Sequence, residues 1–156
     1  MRDSKYFFGV TLLELMIVIA VIGILATIAY PSLQNLIRDG RVVSQANELA
    51  AMITYAHSQA TQGIPQVSIE VDPGLDWGAT LRGRNSLAGP SVILRQMDAR
   101  NTNLFADGQL PIVVNNRGLV ISGPVCFDIQ HTPGDQARSV AVRVSGQVLV
   151  QGTPCP

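Results

Sequence analysis

Apolar and polar positions divide this chain into three stretches. From Val10 to Tyr30 every residue is apolar except Thr11, Glu14, Gly23 and Thr27. At about 1.5 Å of rise per residue that run makes a helix roughly 32 Å long, enough to cross a bilayer core of about 30 Å. From Ser32 to Gln62 the apolar residues thin to one face. Leu33, Leu36, Ile37, Val43, Ala46, Leu49, Ala50, Ile53, Ala56 and Ala60 recur at three- and four-residue steps, with Arg38, Asp39, Arg41, Gln45 and Glu48 mostly between them. The pattern predicts one long helix, hydrophobic first and amphipathic later. Pro31 removes a backbone donor and should bend it, Gly40 is a weak point, and Gly63 followed by Pro65 should end it.

After Gly63 the period changes. Short β-rich runs alternate with Gly, Pro, Asn and Asp, and they predict strands at 66–71, 77–81, 91–96, 112–114, 119–122, 125–129, 139–144 and 148–151. Ser145-Gly146-Gln147 reads as a hairpin turn and Asn115-Asn-Arg-Gly118 as another turn. The expected class is α+β: one helix laid against an antiparallel β-sheet domain, either one strongly bent sheet or two small ones.

Composition agrees with this division. Of 156 residues, 47% are hydrophobic and 14% charged, which excludes a disordered chain. The 11 basic and 11 acidic residues leave no net charge, and the charges beyond residue 30 also balance, which argues against a general polyanion binder. The positive mean hydropathy of +0.26 comes from the N-terminal run.

Arg2 and Lys5, opposed only by Asp3, precede that run, so the N-terminus is expected to stay cytoplasmic and everything after Tyr30 to lie outside. A secretory signal would have a shorter apolar core and a small-residue cleavage site, and no such pattern precedes Pro31. A plain membrane anchor fits apart from Glu14, because an ionised carboxylate at that depth costs at least a few kcal/mol unless it is paired.

Gly9-Val-Thr-Leu-Leu-Glu-Leu-Met-Ile-Val, followed by Ala29-Tyr-Pro31-Ser, resembles the N-terminus of type IV pilins and type II secretion pseudopilins over about 25 residues. The resemblance implies a leader spanning residues 1–9, cut by a prepilin peptidase between Gly9 and Val10, and N-methylation of Val10. Val10 stands where Phe is usual in the family. Glu14 becomes the fifth mature residue and Pro31 takes the place of the family's helix-kinking proline. Residues 10–31 would then be the membrane-embedded assembly half of the helix, and residues 32–156 the periplasmic or extracellular domain. Further on, Gln45-Ala-Asn-Glu-Leu49 and Tyr55-Ala-His-Ser-Gln-Ala60 resemble the FimT/FimU/GspH branch, with His57 at a position where that branch carries Arg.

This family resemblance implies a type IV pilin-like fold and a minor pilin that primes pilus assembly at or near the tip. Its partners would be the prepilin peptidase, other minor pilins, the major pilin, the inner-membrane assembly platform and a tip adhesin. The chain would first span the inner membrane and later stand in the pilus. A GspH-type pseudopilin and a FimT-like DNA-uptake pilin are the alternatives.

Cys126 lies on a predicted strand and Cys155 one residue from the last position. In an extracytoplasmic domain such a pair is most simply a disulfide, expected to pin the C-terminal strand and to contribute about 3.5 kcal/mol. No catalytic constellation is visible, and no cofactor or metal is expected. His57 and His131 lack a nucleophile motif nearby, and Glu70, Asp72 and Asp76 lack the ligand density of a calcium loop. Arg82, Arg84, Arg95 and Arg100 against Asp98 form a local basic surplus and are the candidates for DNA contact. DNA-binding FimT-like relatives carry Gly-Arg-x-Arg in the last hairpin, where this chain has Gly146-Gln-Val-Leu, so nucleic acid is not an expected partner.

Overall fold

The computed structural model describes residues 11–86, 89–132 and 137–155. One helix, α1 (Leu12–Thr61), precedes nine strands: β1 (Gln66–Asp72), β2 (Gly74–Leu75), β3 (Gly78–Arg84), β4 (Ser91–Asp98), β5 (Asn103–Gly108), β6 (Ile112–Asn115), β7 (Val125–Gln130), β8 (Arg138–Val142) and β9 (Val148–Gln151). The chain divides into two compact units, the first ending at Ile37 and the second beginning at Arg38.

In the first unit the helix continues through Pro31. Proline lacks an N–H, so the Thr27 carbonyl four residues back has no helical donor from that position. Leu33, Leu36 and Ile37, expected on the packing face, are exposed.

In the second unit α1 buries Val42, Ala46, Leu49, Met52, Ile53, Ala56 and Ala60. Val42 rather than Val43 opens this stripe. Alanine at three of its positions lets the helix axis come close to the strands beneath it. The helix ends in a Schellman arrangement: the Ile64 N–H donates to the Gln59 carbonyl at 3.3 Å and the Gly63 N–H to Ala60 at 3.5 Å. Gly63 takes φ 117° there, a conformation that favours glycine.

The strands form two antiparallel sheets. The first has the order β4-β3-β1-β6 and the second β2-β5-β7-β8-β9. Inward residues of both, among them Val67, Ile69, Leu81, Leu104, Ile112, Phe127, Ile129 and Val140, join the helix stripe and Trp77 in one core.

Two strand expectations need correction. Residues 119–122 do not form a strand; they make an isolated bridge, Val114↔Val120. The Ile121 N–H donates to Val113 at 2.8 Å and the Val120 N–H to Val144 at 2.9 Å, so this segment ties the first sheet to the end of β8. Gly118 and Gly123, both at positive φ, end the extended run on either side. The second correction is β5, absent from the expectation together with its two-residue partner β2. Its Leu104 is buried while the adjacent Phe105 is exposed, so two neighbouring apolar residues hide the alternation.

Candidate functional site

The N-terminal helix starts from a capped end. Thr11 precedes the first helical residue, and its Oγ1 accepts a hydrogen bond from the Glu14 backbone N–H at 3.2 Å. Thr11 is therefore the N-cap and Glu14 the third helical residue, the Thr-x-x-Glu spacing of a capping box. A carboxylate one turn into a helix also meets the positive end of its dipole. The Thr27 hydroxyl donates to the Ile24 carbonyl at 2.7 Å, so it is satisfied within the helix. The Glu14 carboxylate has no hydrogen-bond or ion-pair partner among the described residues. Around it the apolar side chains face outward, from Leu12 at 79% exposure through Ile28 at 69%. The helix carries a window of mean hydropathy 2.7, none of it buried in the chain, and is long and apolar enough to cross a membrane. Gly9 and Val10, the expected processing positions, lie outside the described residues.

At the other end of the chain Cys126 and Cys155 form a disulfide with Cα atoms 5.9 Å apart. Cys126 lies in the middle of the second sheet, on the side of β7 opposite the buried Val125, Phe127 and Ile129. The Cys155 N–H donates to both Asp128 carboxylate oxygens, at 2.9 and 3.1 Å. The Ser139 hydroxyl donates to the Thr153 carbonyl at 2.6 Å. Strand β9 is already paired along β8, from Val142↔Val148 to Ser139↔Gln151. What the bond fixes is the tail beyond β9, laid across the sheet, rather than the terminal strand.

The four arginines do not converge. Arg82 and Arg84 share the outer face of β3, and the Arg82 Nε donates to the Glu70 carboxylate at 2.9 Å. Arg95 pairs in register with the core residue Leu81, which puts it on the other face of the same sheet. Arg100 follows β4, and its carbonyl accepts from Gln45 Nε2 at 3.2 Å. The acidic candidates are engaged in the same local way: Glu70 by Arg82, and Asp76 by the Asn101 N–H at 2.6 Å. Among the described residues no three metal-ligating side chains come together.

The family model for the prokaryotic N-terminal methylation motif matches residues 4–30. A fimbrial protein of Pseudomonas aeruginosa is 45% identical over 60 residues, covering 38% of this chain and 39% of that protein. The chain carries a prokaryotic N-terminal methylation motif and is similar to fimbrial proteins over part of its length.

The chain thus spans about two fifths of the length of the fimbrial protein it matches. A probable minor fimbrial protein of Dichelobacter nodosus is 33% identical over 103 residues, covering 64% of this chain and 61% of that one. The pilin-like fold itself is shared with the minor pilin FimU of Pseudomonas aeruginosa, at a TM-score of 0.60 and 22% identity over 74% of this chain and 90% of the crystallised FimU chain. It is shared equally with the minor pseudopilin EpsH of the Vibrio cholerae type 2 secretion system, at 0.59 and 13% over 72% and 97%.

Two features of this pilin-like domain were not legible in the sequence. His57 projects from α1 against Gly118 and Gly146, and a Cβ at either glycine would overlap its imidazole. Each glycine closes a loop of the same design. The Gly118 N–H donates to Asn115 and the Gly146 N–H to Arg143, both at 2.9 Å, and both glycines have positive φ. This is a type I turn followed by a left-handed residue. The second feature is a chain of buried polar contacts. Trp77 Nε1–H donates to Thr102 Oγ1 at 3.1 Å, and the Thr102 hydroxyl donates in turn to Gln45 Oε1. Thr102 is fully buried, and it fastens the β4–β5 connection to the helix. His131 is engaged locally, its Nδ1 lying 2.6 Å from the Asn101 carbonyl oxygen.

Proposed function

We propose that this chain is a FimU-like minor type IV pilin, a structural subunit rather than an enzyme. Prepilin peptidase would cut between Gly9 and Val10, leaving a methylated α-amine at Val10 and the α1 helix in the inner membrane, N-terminus inward. The observation that carries this reading is the Glu14 carboxylate, without a partner among the described residues, one turn inside a capped helix whose apolar window is exposed and of membrane length. In hydrocarbon, a carboxylate and an α-amine each suffer from isolation and gain strongly from pairing. Pairing Glu14 of one subunit with the Val10 amine of a neighbour sets the axial stagger of packed helices. The subunit then enters the pilus at or near its tip, joins other minor pilins and a tip adhesin to the major pilin, and helps the assembly platform start the filament.

The fimbrial relatives support the pilus over the secretion filament, whereas the EpsH likeness supports a pseudopilin of the GspH type. Deleting the gene in its host separates the two. The minor-pilin reading predicts a marked fall in surface pili with protein secretion unchanged. Pili of normal number and length, with secretion lost, would replace it by the pseudopilin.

A further inference from the structure

We propose that Gly152–Cys155 is a redox-releasable strap that covers part of the outer face of the second sheet. Past Gln151 the chain leaves β9 and crosses β8 and then β7. The crossing is recorded by the Thr153 carbonyl on Ser139 Oγ, the Cys155 N–H on Asp128, and the disulfide to Cys126. Ser139 and Asp128 face each other in register, and both lie on the side opposite the core. Ser139 is nevertheless only 1% exposed, because the strap lies over it.

The strap itself brings nothing to the core. Gly152, Thr153 and Pro154 are exposed, and the buried hydrophobic residues end at Val142. The hydrogen bonds to Ser139 and Asp128, three contacts from two donors, do not outweigh the backbone entropy of ordering this segment, so the covalent bond is what keeps it closed. β7, β8 and β9 are held by their own ladders and by the inward side chains.

Opening takes one dithiol reductant. Its thiolate attacks one of the two sulfurs and the other leaves as a thiolate that takes up a proton. The second thiol of the reductant then resolves the mixed disulfide, leaving two cysteine thiols and one oxidised dithiol. Release uncovers the Ser139 hydroxyl and the Asp128 carboxylate. A groove of about 280 Å³, lined by Pro124, Cys126 and Ala141 with Asp107 and Arg143, adjoins the same disulfide. In an oxidising compartment the strap stays shut.

The test uses the full-length oxidised chain in detergent, treated with dithiothreitol at neutral pH, alkylated, and followed by hydrogen exchange. Both cysteines should alkylate, and the Cys155 amide should exchange at least about tenfold faster while the β7 and β8 amides keep their protection. Loss of protection in β7 and β8 along with the strap would show that the bond holds the sheet, and would overturn the proposal. So would a Cys155 amide still protected after alkylation, or cysteines that resist reduction in the folded chain. Cys155→Ser, which opens the strap without reductant, should reproduce the exchange pattern of the reduced protein.

Discussion

The Thr11 hydroxyl accepts its hydrogen bond from the Glu14 N–H, so the residue that starts the helix is tied to the acid of its apolar half, one turn away. This contact separates two duties of Glu14. Locally it sits at a capping position that accepts Glu or Gln, with a modest dipole preference for the acid, while between subunits its charge serves. Glu14→Gln keeps the polar group and removes the charge. Both Glu14→Gln and Glu14→Ala should therefore insert and be processed normally, yet remain in the membrane fraction when pili are sheared from cells. Wild-type incorporation of the Gln variant would show that the position supplies something other than charge.

Gly118→Ala and Gly146→Ala each force a side chain into the His57 ring at a backbone conformation unfavourable to alanine. Each should destabilise the domain by about 1–3 kcal/mol, read as a shift in the urea midpoint. Combining either with His57→Ala should recover part of that loss, more for Gly118→Ala, because the imidazole overlap is removed while the backbone cost stays and a Cβ at residue 146 still meets the Gly118 carbonyl oxygen. Strict additivity of the two changes would mean the loops do not rest on the histidine.

Thr102→Val leaves the buried Trp77 indole N–H and the part-buried Gln45 amide oxygen without their common partner. The expected cost is about 1–3 kcal/mol by urea denaturation, since an orphaned buried donor loses its hydration without compensation. Thr102→Ser keeps the hydroxyl and should lie much closer to the wild type.

The long helix was legible because its signals are local. The apolar run, the three- and four-residue steps beyond it and the stop at Gly63 each depend on residues within a turn or two of one another. The second sheet was partly hidden. β5 reads Asn-Leu-Phe-Ala-Asp-Gly, where Leu104 is buried, Ala106 half-buried and Phe105 exposed, and residues 119–122 have the composition of a strand but form only a single isolated bridge. The disulfide followed from compartment and spacing, but its task did not. That the tail folds back over Ser139 depends on where β7 and β8 lie in space. The His57 contact was illegible for the same reason, since Gly118 and Gly146 look like ordinary turn residues until two loops close on one ring.

The central claim is that this chain is processed at Gly9 and built into pili. It is tested most directly by mass spectrometry of sheared, purified pili from the native host. The account predicts substoichiometric peptides from the globular domain, together with an N-terminal peptide that begins at a methylated Val10. A chain found only in the membrane fraction, or one in pili that still carries residues 1–9, would contradict it.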